Sequence, residues 1–143
     1  MTVVHNISSE HKDRLIHELG ESLAQRPEIL FACVHGSFLL PAVGFRDIDI
    51  GVWLDAPVPR GKAALDYQWE LDSLLERKFP FPMDVRVLND TSLGFKHAAS
   101  GGRLLTAKDK VHWFDFRERT WNEYLDFAPL VRQSLLDLLS GPF

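Results

Sequence analysis

Two carboxylates separated by a single residue stand at the head of Asp47-Ile48-Asp49-Ile50-Gly51-Val52-Trp53-Leu54. Side chains alternate between faces along a strand, so Asp47 and Asp49 share one face while Ile48, Ile50 and Val52 point to the other. Two like charges so close repel one another, and a cation relieves that repulsion. Mg²⁺ suits the task. It prefers hard oxygen ligands, keeps several waters, and commonly takes one or two carboxylates together with substrate phosphate oxygens. A third carboxylate lies in Met83-Asp84-Val85-Arg86-Val87, where apolar and polar side chains again alternate. If the two strands are neighbours, Asp84 reaches the same face, completes a two-metal arrangement and could accept a proton from an attacking hydroxyl.

A second chemical signal precedes the first. The apolar run Ile29 to Val34 ends at Gly36-Ser37, a tight turn after a buried strand. Glycine there lets backbone N–H groups approach a phosphate, the more so where a helix begins and presents its positive end. Each signal has a plain structural reading when judged alone. Asp-x-Asp also describes a solvated strand face, and Gly-Ser also describes an ordinary turn. Their order and spacing carry the functional expectation.

The elements that position these residues are legible from periodicity. Ser8 or Ser9 caps a helix with Leu15, Ile16, Leu19 and Leu23 on one face, ended by Pro27. Pro57, Pro59 and Gly61 form a loop, and residues 62 to 78 form a helix carrying Tyr67, Leu71, Leu74 and Leu75. Pro80 and Pro82 stop that helix before the Asp84 strand. A short helix near 92 to 99, a Gly101-Gly102 break and an extended Arg103 to Thr106 follow. Residues 109 to 140 read as mainly helical, with Pro129 kinking or dividing the helix. The order helix, strand, strand, helix, strand, helices predicts an α/β (α+β) fold, with the direction of strand pairing left open. Residues 1 to 143 read as one domain, since a chain of this size can bury roughly 70% of its unfolded surface.

Composition narrows the function. A net charge of −4 argues against broad electrostatic capture of nucleic acid or anionic membrane. No uncharged apolar run approaches the ~20 residues that cross a bilayer, and the first 25 residues lack a signal-peptide pattern. With a single cysteine, Cys33, there is no internal disulfide, and a reducing, cytoplasmic location is the expectation. Cys33 reads as a small buried residue rather than a nucleophile. The six histidines show no zinc spacing. His35 beside the turn could touch a nucleotide or simply pack, and Arg46 could serve phosphate or a surface ion pair. The aromatic series Trp113, Phe114, Phe116, Trp121, Tyr124 and Phe127 fits amphipathic packing, with partner or base binding as the rival. Lys108, Lys110, Arg117 and Arg119 fit either a partner surface or a solvated face.

Gly36-Ser37 followed after nine residues by Asp47-Ile48-Asp49, with the later Asp84, resembles the minimal nucleotidyltransferase (MNT) branch of the DNA polymerase β-like superfamily. The tail from Phe116 to Leu130 is similar to the MNT antitoxins of HEPN/MNT toxin–antitoxin pairs. The resemblance implies a small mixed sheet with flanking helices and a helical C-terminal region. It also implies Mg²⁺-dependent transfer of AMP from ATP, a nucleoside triphosphate, to a tyrosine of a partner HEPN-domain ribonuclease toxin. Asp47, Asp49 and Asp84 would then be catalytic and metal-ligating, and Gly36 with Ser37 would hold the nucleotide. Two features depart from the family pattern: Leu39-Leu40-Pro41 replaces an Arg-Gly pair, and the spacing before Asp-x-Asp is nine rather than ten. Those departures keep one alternative in view, a binding module that neutralises its partner by contact alone, and the wider superfamily resemblance implies another, transfer to a small hydroxylated molecule.

Overall fold

The computed structural model describes residues 3–41 and 43–140. In chain order it comprises α1 (Ser9–Ala24), β1 (Ile29–His35), a 3-10 turn (Gly36–Leu39), β2 (Ile48–Leu54), α2 (Lys62–Lys78), β3 (Met83–Val87), α3 (Leu93–Ser100), β4 (Arg103–Ala107) and α4 (Lys110–Leu139). The strands form one sheet in the order β3-β2-β1-β4. β1 is antiparallel to both β2 and β4, whereas β2 and β3 run parallel. The sheet is therefore mixed, as expected, and α2 supplies the crossover that a parallel pair requires.

Ser8 caps α1 by accepting a hydrogen bond from the His11 amide at 3.1 Å. The helix stops at Ala24, one turn before Pro27, because Gln25 already closes it by donating its amide to the Leu23 and Ser22 carbonyls. Leu15, Ile16, Leu19 and Leu23 pack with Leu71 and Leu75 of α2 against Ile48, Ile50 and Val52 of β2 and Val85 of β3. This is the main core. The opposite face is smaller, with Phe31, Cys33, Leu88, Ala99, Trp113 and Phe116 in contact and Trp53, Phe95 and Leu104 around them.

The exposed edge of the sheet is closed by side chains rather than by another strand. Gln68, Asp72 and Glu76 recur every four residues on α2 and accept hydrogen bonds from the amides of Val87, Val85 and Met83 at 2.9, 2.7 and 3.3 Å. Four helical residues advance about 6.0 Å and two strand residues about 6.7 Å, so the two repeats stay nearly in register over this length. An edge whose amides are occupied offers no template for another strand.

α4 continues through Pro129 as one helix. Proline removes the N–H that would bond to the carbonyl of Leu125, and that residue is 61% exposed, so water can satisfy the free oxygen. The aromatic series on this helix divides: Trp113 and Phe116 are buried, while Phe114, Trp121 and Phe127 are exposed.

Candidate active site

Asp49 is the centre of the site, and the strand registers put it there. Across β1 and β2 it pairs with His35, and across β2 and β3 it pairs with Asp84. Asp47 lies just before β2, whose first residue is Ile48, so it is not itself in the strand. Even so, one carboxylate oxygen from each of Asp47, Asp49 and Asp84 lies within 4.8 Å of the other two. The convergence left open by the sequence is therefore achieved, because β2 and β3 are parallel neighbours in zero-offset register at this point.

The end of β1 is built to accept Asp49. Gly36 has φ of +82°, and a Cβ placed there would collide with the Asp49 Oδ2 atom. Both the backbone conformation and the space thus demand glycine. Gly36 is exposed and Ser37 half-buried at the start of the 3-10 turn, which is closed by the Leu40 amide donating to the Ser37 carbonyl at 3.1 Å.

Charge is concentrated and poorly compensated. Burial is the main cause, followed by the charges of Asp47 and Asp84, of a rise in the Asp49 pKa from 3.8 to about 6. Arg86 acts in the other direction. Its Nε lies 3.6 Å from Asp84 Oδ1, and its guanidinium sits over the Phe95 ring at 5.0 Å. Arg86 was not singled out in the sequence, although the alternation Asp84-Val85-Arg86 was sufficient to place it on the acidic face. One cation against three carboxylates leaves the site short of positive charge, and the donor set is all oxygen. Both properties fit Mg²⁺.

His35 stands on the same face and is buried, edge-on to Phe95 at 5.2 Å, with Nε2 making no hydrogen bond. Burial lowers its pKa, which Asp84 opposes and Arg86 reinforces, so the ring is favoured in its neutral form. Arg46 is exposed and forms no salt bridge among the described residues. A cleft of about 440 Å³ borders Asp84 and Arg86, with Gln68, Asp72, Arg60 and Trp69 on its other walls. Asp72 was also missed in the sequence. Burial, with smaller contributions from Asp84 and Glu76, raises its pKa to about 6 against the opposing hydrogen bond from the Val85 amide.

Other candidates resolve into structure. Cys33 is fully buried, its thiol directed at the Ala99 carbonyl at 3.7 Å, and burial pushes its pKa up to about 12, leaving it unreactive. Lys108 donates to the Ala24 carbonyl at the end of α1, and Arg117 donates to the Ser100 carbonyl. No described helix is long and apolar enough to cross a membrane.

None of the curated proteins matches the chain. Among solved structures, a chain of the tri-AMPylated Shewanella oneidensis HEPN toxin in complex with MNT antitoxin aligns at 20% identity and TM-score 0.63, covering 90% of this chain and 98% of that one. A toxin–antitoxin structure with AMP-PNP aligns at 19% identity and TM-score 0.62, covering 94% and 100%. The MntA-HepT toxin–antitoxin structure aligns at 18% identity with the same TM-score of 0.62 and the same coverage, 94% and 100%. At such identities the likeness establishes a shared fold. The family model for polymerase β nucleotidyltransferases matches residues 17–111, which span β1 to β4 and contain all three carboxylates, and the chain belongs to that family.

Proposed function

We propose that this protein is a Mg²⁺-dependent nucleotidyltransferase that transfers AMP from ATP to a tyrosine of a partner HEPN-domain toxin, and so acts as its antitoxin in the cytoplasm. The observation that carries the reading is the meeting of Asp47, Asp49 and Asp84 within 4.8 Å beside the glycine turn. The protein-acceptor part is supported by two structural neighbours, one described as a tri-AMPylated HEPN toxin with its MNT antitoxin and the other containing AMP-PNP.

In this reading Asp47, Asp49 and Asp84 hold the metal, and Gly36 and Ser37 receive the triphosphate. Bound Mg²⁺ supplies neutralisation of the charge that grows on the phosphate oxygens during displacement. The protein's own groups do the rest. Gly36 keeps the turn open so that its backbone approaches the phosphate while Asp49 stays close. Asp84, on the edge strand and bordering the cleft, faces the acceptor and takes the phenolic proton. The tyrosine oxygen bonds to the α-phosphorus as the bond to the pyrophosphate oxygen breaks. Arg86 holds Asp84 through its Nε and orients the carboxylate.

A second reading, a binding module that neutralises its partner by contact alone, is favoured by Leu39-Leu40-Pro41, which brings no positive side chain to the turn. One experiment separates the two. The purified chain is incubated with Mg²⁺, α-labelled ATP and a co-purifying or neighbouring-encoded partner protein, with Asp47→Asn as control. Label on the partner that disappears with the variant supports transfer. A stable, neutralised and unlabelled complex, formed equally by Asp47→Asn, supports contact alone.

A further inference from the structure

α2 has a second face that the core does not use. Leu71 and Leu75 are buried against the sheet, whereas Leu65, Gln68, Trp69 and Asp72 follow the i, i+3, i+4, i+7 spacing of another helical stripe. Gln68 and Asp72 are pinned to the outer edge of β3 by their hydrogen bonds to the Val87 and Val85 amides. Leu65 and Trp69 are left at 59% and 75% exposure. Both line the cleft of about 440 Å³ that also takes in Asp84 to Val87 of β3 and the Arg60–Asp90 ion pair. Gln68, next to Trp69 in the chain, is bonded at Val87, three strand residues and so about 10 Å from Asp84. Trp69 also borders a second depression, with Asp66, Glu70, Ser73 and Arg77.

We infer that this cleft receives the tyrosine-bearing segment of an acceptor polypeptide, with Leu65 and Trp69 as its apolar contact and Asp84 at the phenol. The inference rests on the proposed transfer and names the acceptor's place in it. Three observations select this occupant. The glycine turn follows β1 and Asp49 lies on β2, so the turn and the cleft flank Asp49 from opposite sides in the order β3-β2-β1. Displacement at phosphorus proceeds with the attacking and leaving oxygens roughly in line. The phenolic oxygen arrives from the cleft and bonds to the α-phosphorus, its proton passes to Asp84, and pyrophosphate leaves toward the turn. Second, Asp72, Asp84 and Asp90 outnumber Arg60 and Arg86 in the cleft, which disfavours a triphosphate there. Third, the Met83, Val85 and Val87 amides are already occupied, so the segment has no free donor to pair with as an added strand and enters by its side chains. An exposed tryptophan offers an aromatic face on which a phenol packs offset or edge-on. The second depression beside Trp69 extends the contact surface beyond one small molecule, which favours a polypeptide.

The test uses the full chain, Mg²⁺, α-labelled ATP and the co-purifying or neighbouring-encoded partner protein, comparing wild type with Trp69→Ala and Trp69→Phe. Because Trp69 is largely exposed, both variants are expected to keep the wild-type circular dichroism and melting temperature. Trp69→Ala is expected to raise the KM for the partner protein at least about tenfold, as truncation of an aromatic anchor does, with kcat and the KM for ATP within about twofold. Trp69→Phe keeps a ring and is expected to recover most of the loss, and the label is expected to map to tyrosine. An unchanged KM for the partner, or label on serine or threonine, overturns the inference and leaves nucleotidyl transfer standing. A rise confined to the KM for ATP also overturns it, by assigning the cleft to the nucleotide. Absence of label in a stable wild-type complex overturns both readings.

Discussion

On the face covered by α1 and α2, Leu19, Leu23, Ile48, Ile50, Val52 and Leu75 are fully buried in one apolar cluster. On the face toward α3 and α4 the same strands present His35, Asp49, Asp84 and Arg86, and apolar contact is confined to a small cluster around Phe31. β2 contributes to both faces at once, Ile48, Ile50 and Val52 to the first and Asp49 to the second. One face supplies the burial that holds the strands in register, and that register forces like charges together on the other. A site of repelling carboxylates is tolerable because the residues between them are anchored elsewhere.

Breaking the second face should be the larger functional effect. Asp47→Asn or Asp49→Asn should lower transfer to the partner at least about 1000-fold, equivalent to ~4 kcal/mol, while circular dichroism and melting show an intact fold. Breaking the first face should do the reverse. Leu75→Ala, at a position fully buried between α2 and the sheet, should cost about 3 kcal/mol in urea unfolding. A smaller effect is expected at the edge. Gln68→Leu leaves the Val87 amide without its acceptor and should cost about 1.5 kcal/mol, with increased self-association at high concentration.

The smallest effect has the opposite sign and sharpens the contrast. Asp49 has a pKa near 6 in the folded chain against an ordinary 3.8, so between those values the folded state binds more protons than the unfolded one. Stability of the metal-free protein therefore falls as pH rises through that window and stays lower above it. Asp49→Asn removes this cost. Because the carboxyl is only half-buried, solvent screening reduces the gain to about 1 kcal/mol at pH 7.5, and it should vanish below pH ~4. Chemical denaturation in chelator at both pH values checks the sign. Asp49→Asn that destabilises at pH 7.5 would show that the carboxylate is a structural partner rather than a strained ligand.

Much of this architecture was legible in the sequence because it follows from local periodicity. Alternation in Asp47 to Leu54 separated the faces of β2, the spacing of Leu71, Leu74 and Leu75 identified α2, and Ser8 supplied a cap with a hydroxyl at the right offset. Gly36-Ser37 and Asp47-Ile48-Asp49 were readable as a pair because their chemistry is carried by a few adjacent residues. The continuation of α4 through Pro129 was not legible, since it depends on the adjacent helix surface being open to water. The ladder of Gln68, Asp72 and Glu76 along β3 was equally hidden, because nothing in a helix's own pattern states which strand edge will lie beside it.

What the sequence determined by itself is which side chains share a face and where each element begins, because those are consequences of a 3.6- or two-residue repeat within one segment. Only the tertiary structure decided that β2 and β3 pair in parallel with Asp49 opposite Asp84, that Arg86 answers their charge, and that half of α4 is left uncovered. Each of these depends on segments distant in the chain meeting in one register, and that choice is made by the burial of many side chains together rather than by any residue that benefits from it.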